Sequence, residues 1–294
     1  MVKFKKAVKR KSFGDFFAPI SRGFSFLKKK FSFLRFLDPF TYVDLFVIPK
    51  IRTKFGEDSL VEKATNVFFA LLFAFLAYTI LGIVFQTSSP MVIVYSASME
   101  PSFFRGDVMF LGKPAQNDSF GPVIFVDYDV AKKGVSEFFY PTYDAEGRFV
   151  SFSVGGQDFN YAKTASVVVY SAYNPLTQYN GKPIIHRSIA KIVAPDGNFI
   201  LTKGDNDSKK FFSEYFGQYI YSNPTFDQDC GSIVPVYEKP SKGCITLYPV
   251  KMDSLQGRAF FRIPLVGCVK LWLVDDLTSL LLTGKLPPDF KGIC

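Results

Sequence analysis

Among 294 residues there is one histidine, one tryptophan and only four cysteines, and from position 64 to position 99 there is no charged side chain at all. Each scarcity excludes something. No two cysteines stand at C-x-x-C spacing, so a zinc or redox site of that short kind is excluded. Only His186 is available as a histidine base. No internal repeat is evident, and a chain that is 48% hydrophobic is not disordered throughout.

The uncharged stretch contains an apolar run, VFFALLFAFLAYTILGIVF, at 67–85, broken only by small or weakly polar side chains. As a helix its 19 residues rise about 28 Å, close to the ~30 Å hydrocarbon core of a bilayer. It reads as a transmembrane helix over 64–86. A cleaved leader is disfavoured because 63 residues precede the run. The formal charge of +9 lies entirely ahead of it: residues 1–63 hold 15 Lys and Arg against six acids, leaving 20 of each sign beyond. By the positive-inside rule the basic segment 1–63 stays cytoplasmic and the rest, after a single pass, is extracytoplasmic. Its lysines alternate with Phe24, Phe26, Phe31, Phe33 and Phe36, a pattern suited to anionic lipid surfaces rather than to nucleic acid.

Beyond the anchor the chain is mostly β. Short runs rich in Val, Ile, Tyr and Phe at 91–95, 108–111, 123–126, 167–170, 184–193 and 198–202 are bounded by turn residues. A β-rich domain is expected over 87–268, with loop-like insertions at about 128–164 and 206–250 where no period is evident. The segment 269–294 is apolar but broken by Asp275 and Asp276, and predicts an amphipathic helix lying on the membrane or on the domain. Cys230 and Cys244 share one polar segment. An oxidising exterior permits their disulfide; free buried thiols are the other reading.

Three motifs carry chemistry. Ser96-Ala97-Ser98-Met99-Glu100-Pro101, followed by Arg105-Gly106-Asp107, places a hydroxyl at the end of an apolar strand. Ile185-His186-Arg187 offers a base able to activate it. Leu201-Thr202-Lys203-Gly204-Asp205-Asn206, with Asn223-Pro224 and Asp227 after a polar stretch, offers carboxylates to orient that base. Alone, each motif reads as a turn former, a structural histidine or an Asx cap.

Together and in this order they resemble the type I signal peptidases, archaeal and endoplasmic-reticulum branch, in which a histidine stands where bacterial relatives carry lysine. The closing FRIPLVG at 261–267 belongs to the same likeness, which covers about 67–272. The resemblance implies a coiled β-sheet catalytic domain behind one transmembrane helix, and a serine endopeptidase acting without metal or cofactor. It implies Ser98 as nucleophile, His186 as general base, Asp227 as orienting acid and Asp205 as supporting acid. The Ser96 hydroxyl would join the Ser98 N–H in an oxyanion hole. Met91, Val92, Ile93, Val94 and Tyr95 would pair with the substrate as an added strand. Expected partners are signal peptides of exported preproteins and membrane lipids; the anchor leaves room for a protein-export channel or accessory subunits. Ser98 follows Phe85 by 13 residues, a reach of up to about 45 Å, which allows a site near the membrane surface.

Two departures stand out. Ala97 replaces the family's glycine, which suits a negative φ only. The acid motif is split by an insertion, so Asp207 and Asp229 remain candidates beside Asp227 and Asp205, as Lys182 and Lys191 remain beside His186. A non-catalytic scaffold and a self-cleaving regulatory peptidase are the competing readings.

Overall fold

The computed structural model describes residues 38–115, 117–175, 180–207, 212–213, 218–219, 226–230 and 244–286. Residues 1–37 of the basic segment, Asn223, Pro224, most of the 206–250 insertion and Cys294 lie outside them. The chain divides into two units, residues 1–79 and 80–294.

In the first unit, helices α1 (Pro39–Phe46) and α2 (Ile48–Phe55) precede the apolar one. Asp38 caps α1 by accepting the Phe40 N–H at 3.0 Å, and Pro39 sits where a missing N–H costs nothing. Helix α3 (Leu60–Phe85) has 26 residues, about 39 Å of rise. Among the described residues it is the one helix long and apolar enough to cross a membrane, and its apolar window is unburied. It starts ahead of the uncharged run, where Ser59 Oγ accepts the Glu62 N–H at 3.3 Å and the Glu62 carboxylate lies 2.7 Å from Arg52 of α2.

In the second unit the Val-, Ile- and Phe-rich runs form an eight-stranded sheet. Its path is β1 (Met91–Ile93), β2 (Val108–Gly112), β13 (Gly257–Ile263), β7 (Val167–Ser171), β8 (Pro183–Ala194), β9 (Gly197–Lys203) and β12 (Val250–Lys251). The path pairs antiparallel throughout; β3 (Val123–Phe125) lies parallel to the far half of β8. That arrangement explains the length of β8: its first half pairs with β7 and its second with β3, while β9 runs along its other edge. β7 is buried over Val167, Val168, Val169 and Tyr170, so both faces are covered and it reads as one continuous apolar run.

The first insertion departs from its loop-like reading. β4 (Phe139–Tyr143), β5 (Phe149–Val154) and β6 (Gln157–Asn160) form a separate antiparallel meander. A bulge between Thr142 and Tyr143 breaks the period-two pattern, which hides the strands in the sequence. The Phe139 ring stacks on Phe152 at 4.7 Å and lies 4.7 Å from Phe226, and this cluster continues into Ile192, Phe199 and Leu201 of the main sheet. Within the second insertion, β10 (Phe212–Ser213) and β11 (Gln218–Tyr219) pair as a short hairpin.

After β13 a helical segment runs through Cys268–Lys270, a π-helical stretch Leu271–Asp276 and Leu277–Thr283. Leu271 and Asp276 face inward, whereas Val269, Trp272, Leu273, Leu277 and Leu281 are exposed. The outward face is therefore apolar, and the polar Asp276 is the buried one.

Candidate active site

The nucleophile motif becomes a single turn of 3-10 helix, Ala97–Met99, immediately after the edge strand β1. Ala97 is not among the residues with positive φ, so its methyl is accommodated where the family pattern has glycine. The turn is fastened from the acid motif. The Asn206 N–H donates to the Ser98 carbonyl at 2.9 Å, and its side-chain amide donates to the Ala97 carbonyl at 2.9 Å. Gly204 makes this approach possible: a Cβ there would lie 2.5 Å from the Ser98 carbonyl oxygen and 3.2 Å from the His186 ring.

His186 projects from β8 opposite Val168 of β7. Its Nε2 lies 2.9 Å from Ser98 Oγ, and its Nδ1 lies 2.7 Å from Asp227 Oδ2. His186 and Asp227 are almost fully buried, and Ser98 is 8% exposed. A carboxylate only accepts hydrogen bonds, so Nδ1 carries the proton and Nε2 is left to accept from the serine. Ser96 Oγ is 3.0 Å from Ser98 Oγ on its other side.

Asp227 owes its position to three elements. Its N–H donates to the Thr202 carbonyl of β9 at 2.8 Å, and its own carbonyl accepts from Ile245 at 2.8 Å. A disulfide joins Cys230 to Cys244 on either side of that contact, and Phe226 is seated in the aromatic cluster of the meander. Burial pushes the Asp227 carboxyl upward, but His186 and the hydrogen bonds it accepts outweigh this and hold it below the usual carboxylate range.

The remaining carboxylates are engaged elsewhere. Asp205 is gripped by Arg187, with Nε at 2.8 Å and Nη2 at 2.6 Å. It thus touches the residue next to His186 rather than the imidazole. Asp207 pairs with Lys203 at 2.6 Å and with Lys163. Asp229 accepts from the Tyr143 hydroxyl. Among the described residues the partners of Ser98 Oγ are His186 and Ser96, and neither Lys182 nor Lys191 reaches it.

Residues 91–95, expected from sequence to pair with substrate, begin in β1, which among the described residues is an edge strand of the sheet. Regular pairing ends at Ile93, two residues before the Tyr95 expected from sequence, because the chain turns into the nucleophile loop. Pro90 and Val94 bond toward β2, so by alternation Met91 and Ile93 turn their backbone groups outward. The Tyr95 carbonyl is taken by Arg105 Nη1 at 3.0 Å, and Arg105 also forms a buried 2.5 Å ion pair with Asp276 of the C-terminal segment. Asp107 accepts from the N–H groups of Phe104 and Leu265. The Arg105-Gly106-Asp107 motif is thus the frame around the loop. Nothing in the motif itself announces Asp276 as its counterion.

No protein-family model matches the chain. Its relatives include the signal peptidase complex catalytic subunit SEC11 of Clavispora lusitaniae, 29% identical over 214 residues, covering 72% of this chain and 89% of the relative. SEC11 of Scheffersomyces stipitis is 26% identical over 205 residues, 69% and 89% of the two chains. SEC11 of Saccharomyces cerevisiae is 26% identical over 188 residues, 64% and 81%. The order of the motifs and a mostly antiparallel sheet behind one apolar helix fit these relatives: the chain is similar to the signal peptidase catalytic subunits of the endoplasmic-reticulum type, which are serine endopeptidases.

Proposed function

We propose that Ser98, His186 and Asp227 form the catalytic triad with which this chain removes signal peptides at a membrane surface. The observation that carries the reading is the continuous path from Ser98 Oγ through His186 to Asp227, 2.9 and 2.7 Å, in a chain with a single histidine. As Ser98 Oγ bonds to the scissile carbonyl carbon, its proton passes to His186 Nε2. The Ser98 N–H, at the start of a helical turn with no intrahelical acceptor, receives the developing oxyanion. The Ser96 hydroxyl, released from Ser98 Oγ as that atom bonds to carbon, is the second donor. The imidazolium then protonates the departing amine, and water resolves the ester left on Ser98. Asp205 supports the site through Arg187 and β8 rather than by touching the imidazole.

The substrate's extended end adds to β1 through Met91 and Ile93, with Val92, Val94 and Tyr95 completing the segment that shapes the adjoining surface. The membrane contact is apolar: Phe260, Phe261, Leu265, Val266, Trp272 and Leu273 are all exposed. The Phe85 ring, at the end of α3, lies 5.0 Å from Phe260, which brings that patch to where the anchor leaves the bilayer. The basic N-terminus faces the cytoplasm and the β domain the opposite side. Because the relatives are catalytic subunits of a complex, further subunits are expected around this chain too. A non-catalytic scaffold would have no need of a buried, fully paired triad.

The test is cleavage of a labelled preprotein by the full-length protein in detergent. His186→Ala and Asp227→Asn should each lower kcat/KM by about 10⁴-fold, whereas Asp229→Asn should stay within about tenfold of wild type. Equal losses for Asp227→Asn and Asp229→Asn would remove Asp227 from the triad.

A further inference from the structure

The triad does not end at Asp227. Tyr170, fully buried on β7, directs its hydroxyl to Asp227 Oδ2 at 2.7 Å, the same oxygen that His186 Nδ1 contacts. The register explains the meeting: Tyr170 pairs with Ile184, two residues from His186 on the same face of β8. Thr202 Oγ1 on β9 lies 3.1 Å from the Tyr170 oxygen, and Gln228 Nε2 lies 3.3 Å from Thr202 Oγ1.

The direction of every bond in this chain follows from its ends. Asp227 as a carboxylate has no proton to give, so Tyr170 donates to it. The Tyr170 oxygen then accepts from Thr202, whose own oxygen accepts from Gln228. The amide of Gln228 is oriented by its Oε1, which accepts the Thr202 N–H at 3.1 Å. All four residues are buried, so water does not compete at these bonds. The phenol proton is kept in place, since burial and the Asp227 charge push the Tyr170 hydroxyl well above its ordinary value.

We infer that Tyr170, ordered by Thr202 and Gln228, is a positioning residue that sets how strongly Asp227 holds the His186 proton. By donating to Oδ2 it withdraws charge from the oxygen facing Nδ1. It also fixes the rotation of the carboxylate. Removing the hydroxyl takes away one of the donors that share the Asp227 carboxylate with His186, concentrates charge on Oδ2 and stabilises the imidazolium. The other charged groups nearby are already paired: Arg187 on β8 with Asp205, and Lys203 on β9 with Asp207, which also binds Lys163. Asp229 is bonded by Tyr143, and the partly buried Tyr161 ring lies 5.8 Å from Lys203 Nζ. Tyr170→Phe changes none of these side chains.

The inference rests on the triad reading for its catalytic meaning, but its test does not require activity. Since the chain has one histidine, the histidine-labelled full-length protein in detergent gives one imidazole signal to titrate by NMR. Tyr170→Phe should raise the midpoint by about half to one pH unit, and the acid limb of the kcat/KM profile should move with it. A midpoint equal to or below that of wild type overturns the inference, even if the melting temperature falls, since a merely structural phenol would change only stability. If Tyr170→Phe does not fold, Thr202→Val carries the test. It keeps the phenol but removes the hydroxyl that donates to the Tyr170 oxygen and supports the Asp227 carboxylate, so a rise is expected here too and an unchanged midpoint is fatal. Failure of wild type to cleave any preprotein would instead sink the proposed function and leave the titration readable.

Discussion

Two buried aspartates lie on either side of the β8 sequence His186-Arg187 and serve different ends. Asp227 faces the imidazole and Asp205 the guanidinium. Burial pushes the Asp205 carboxyl up, but Arg187 more than offsets it and holds the group below the usual carboxylate range. A depressed carboxyl contributes stability that is complete above its unfolded value of about 3.9 and is lost as pH falls through the lower folded-state value. Asp205→Asn should therefore lower unfolding stability at pH 7 by about 3 kcal/mol, since Arg187 loses its buried anion. The stability gap between wild type and variant should be steady above about pH 5 and narrow as pH falls below about 4; a gap that widens on acidification would contradict this account. At this scale the sequence is partly legible. Ser98, His186 and the split acid motif announce themselves by type and order. Tyr170 does not, because a tyrosine closing a Val-Val-Val run looks like any strand residue, and only the register of β7 on β8 brings it to Asp227.

The same division holds for the elements. Strand runs are readable where burial is regular, as in β2, β7 and β9. The β4–β6 meander is not, because its bulge breaks the alternation and its stabilisation comes from a Phe cluster assembled across strands. That meander matters to the site, since it holds Phe226 beside Asp227. The Cys230–Cys244 disulfide, one of two readings open from sequence, closes the same strap from the other end over a separation of 14 residues. Cys230→Ser with Cys244→Ser should cost about 3 kcal/mol of stability, the amount expected for a loop near 15 residues. Cleavage should fall with it as Asp227 loses its restraint. Denaturant unfolding with and without reductant checks the first effect, and a midpoint unmoved by reductant would contradict it.

At the scale of the whole molecule, one 26-residue helix separates a basic segment from a β domain of balanced charge. Charge asymmetry and helix length are written in the sequence; the exposed apolar patch beside Phe85 is not, because it combines β13 with the C-terminal segment. The proposed orientation predicts that in sealed vesicles with the cytoplasmic face outward, protease removes an N-terminal tag and spares a C-terminal one. The reverse pattern would turn the protein over. The account as a whole stands on Ser98, and its most direct test is incubation of a preprotein with the full-length protein and with Ser98→Ala, followed by sequencing of the new N-terminus. The account predicts a single cut after the signal peptide by wild type and no product from the variant; the same cut made at an undiminished rate by Ser98→Ala would contradict it.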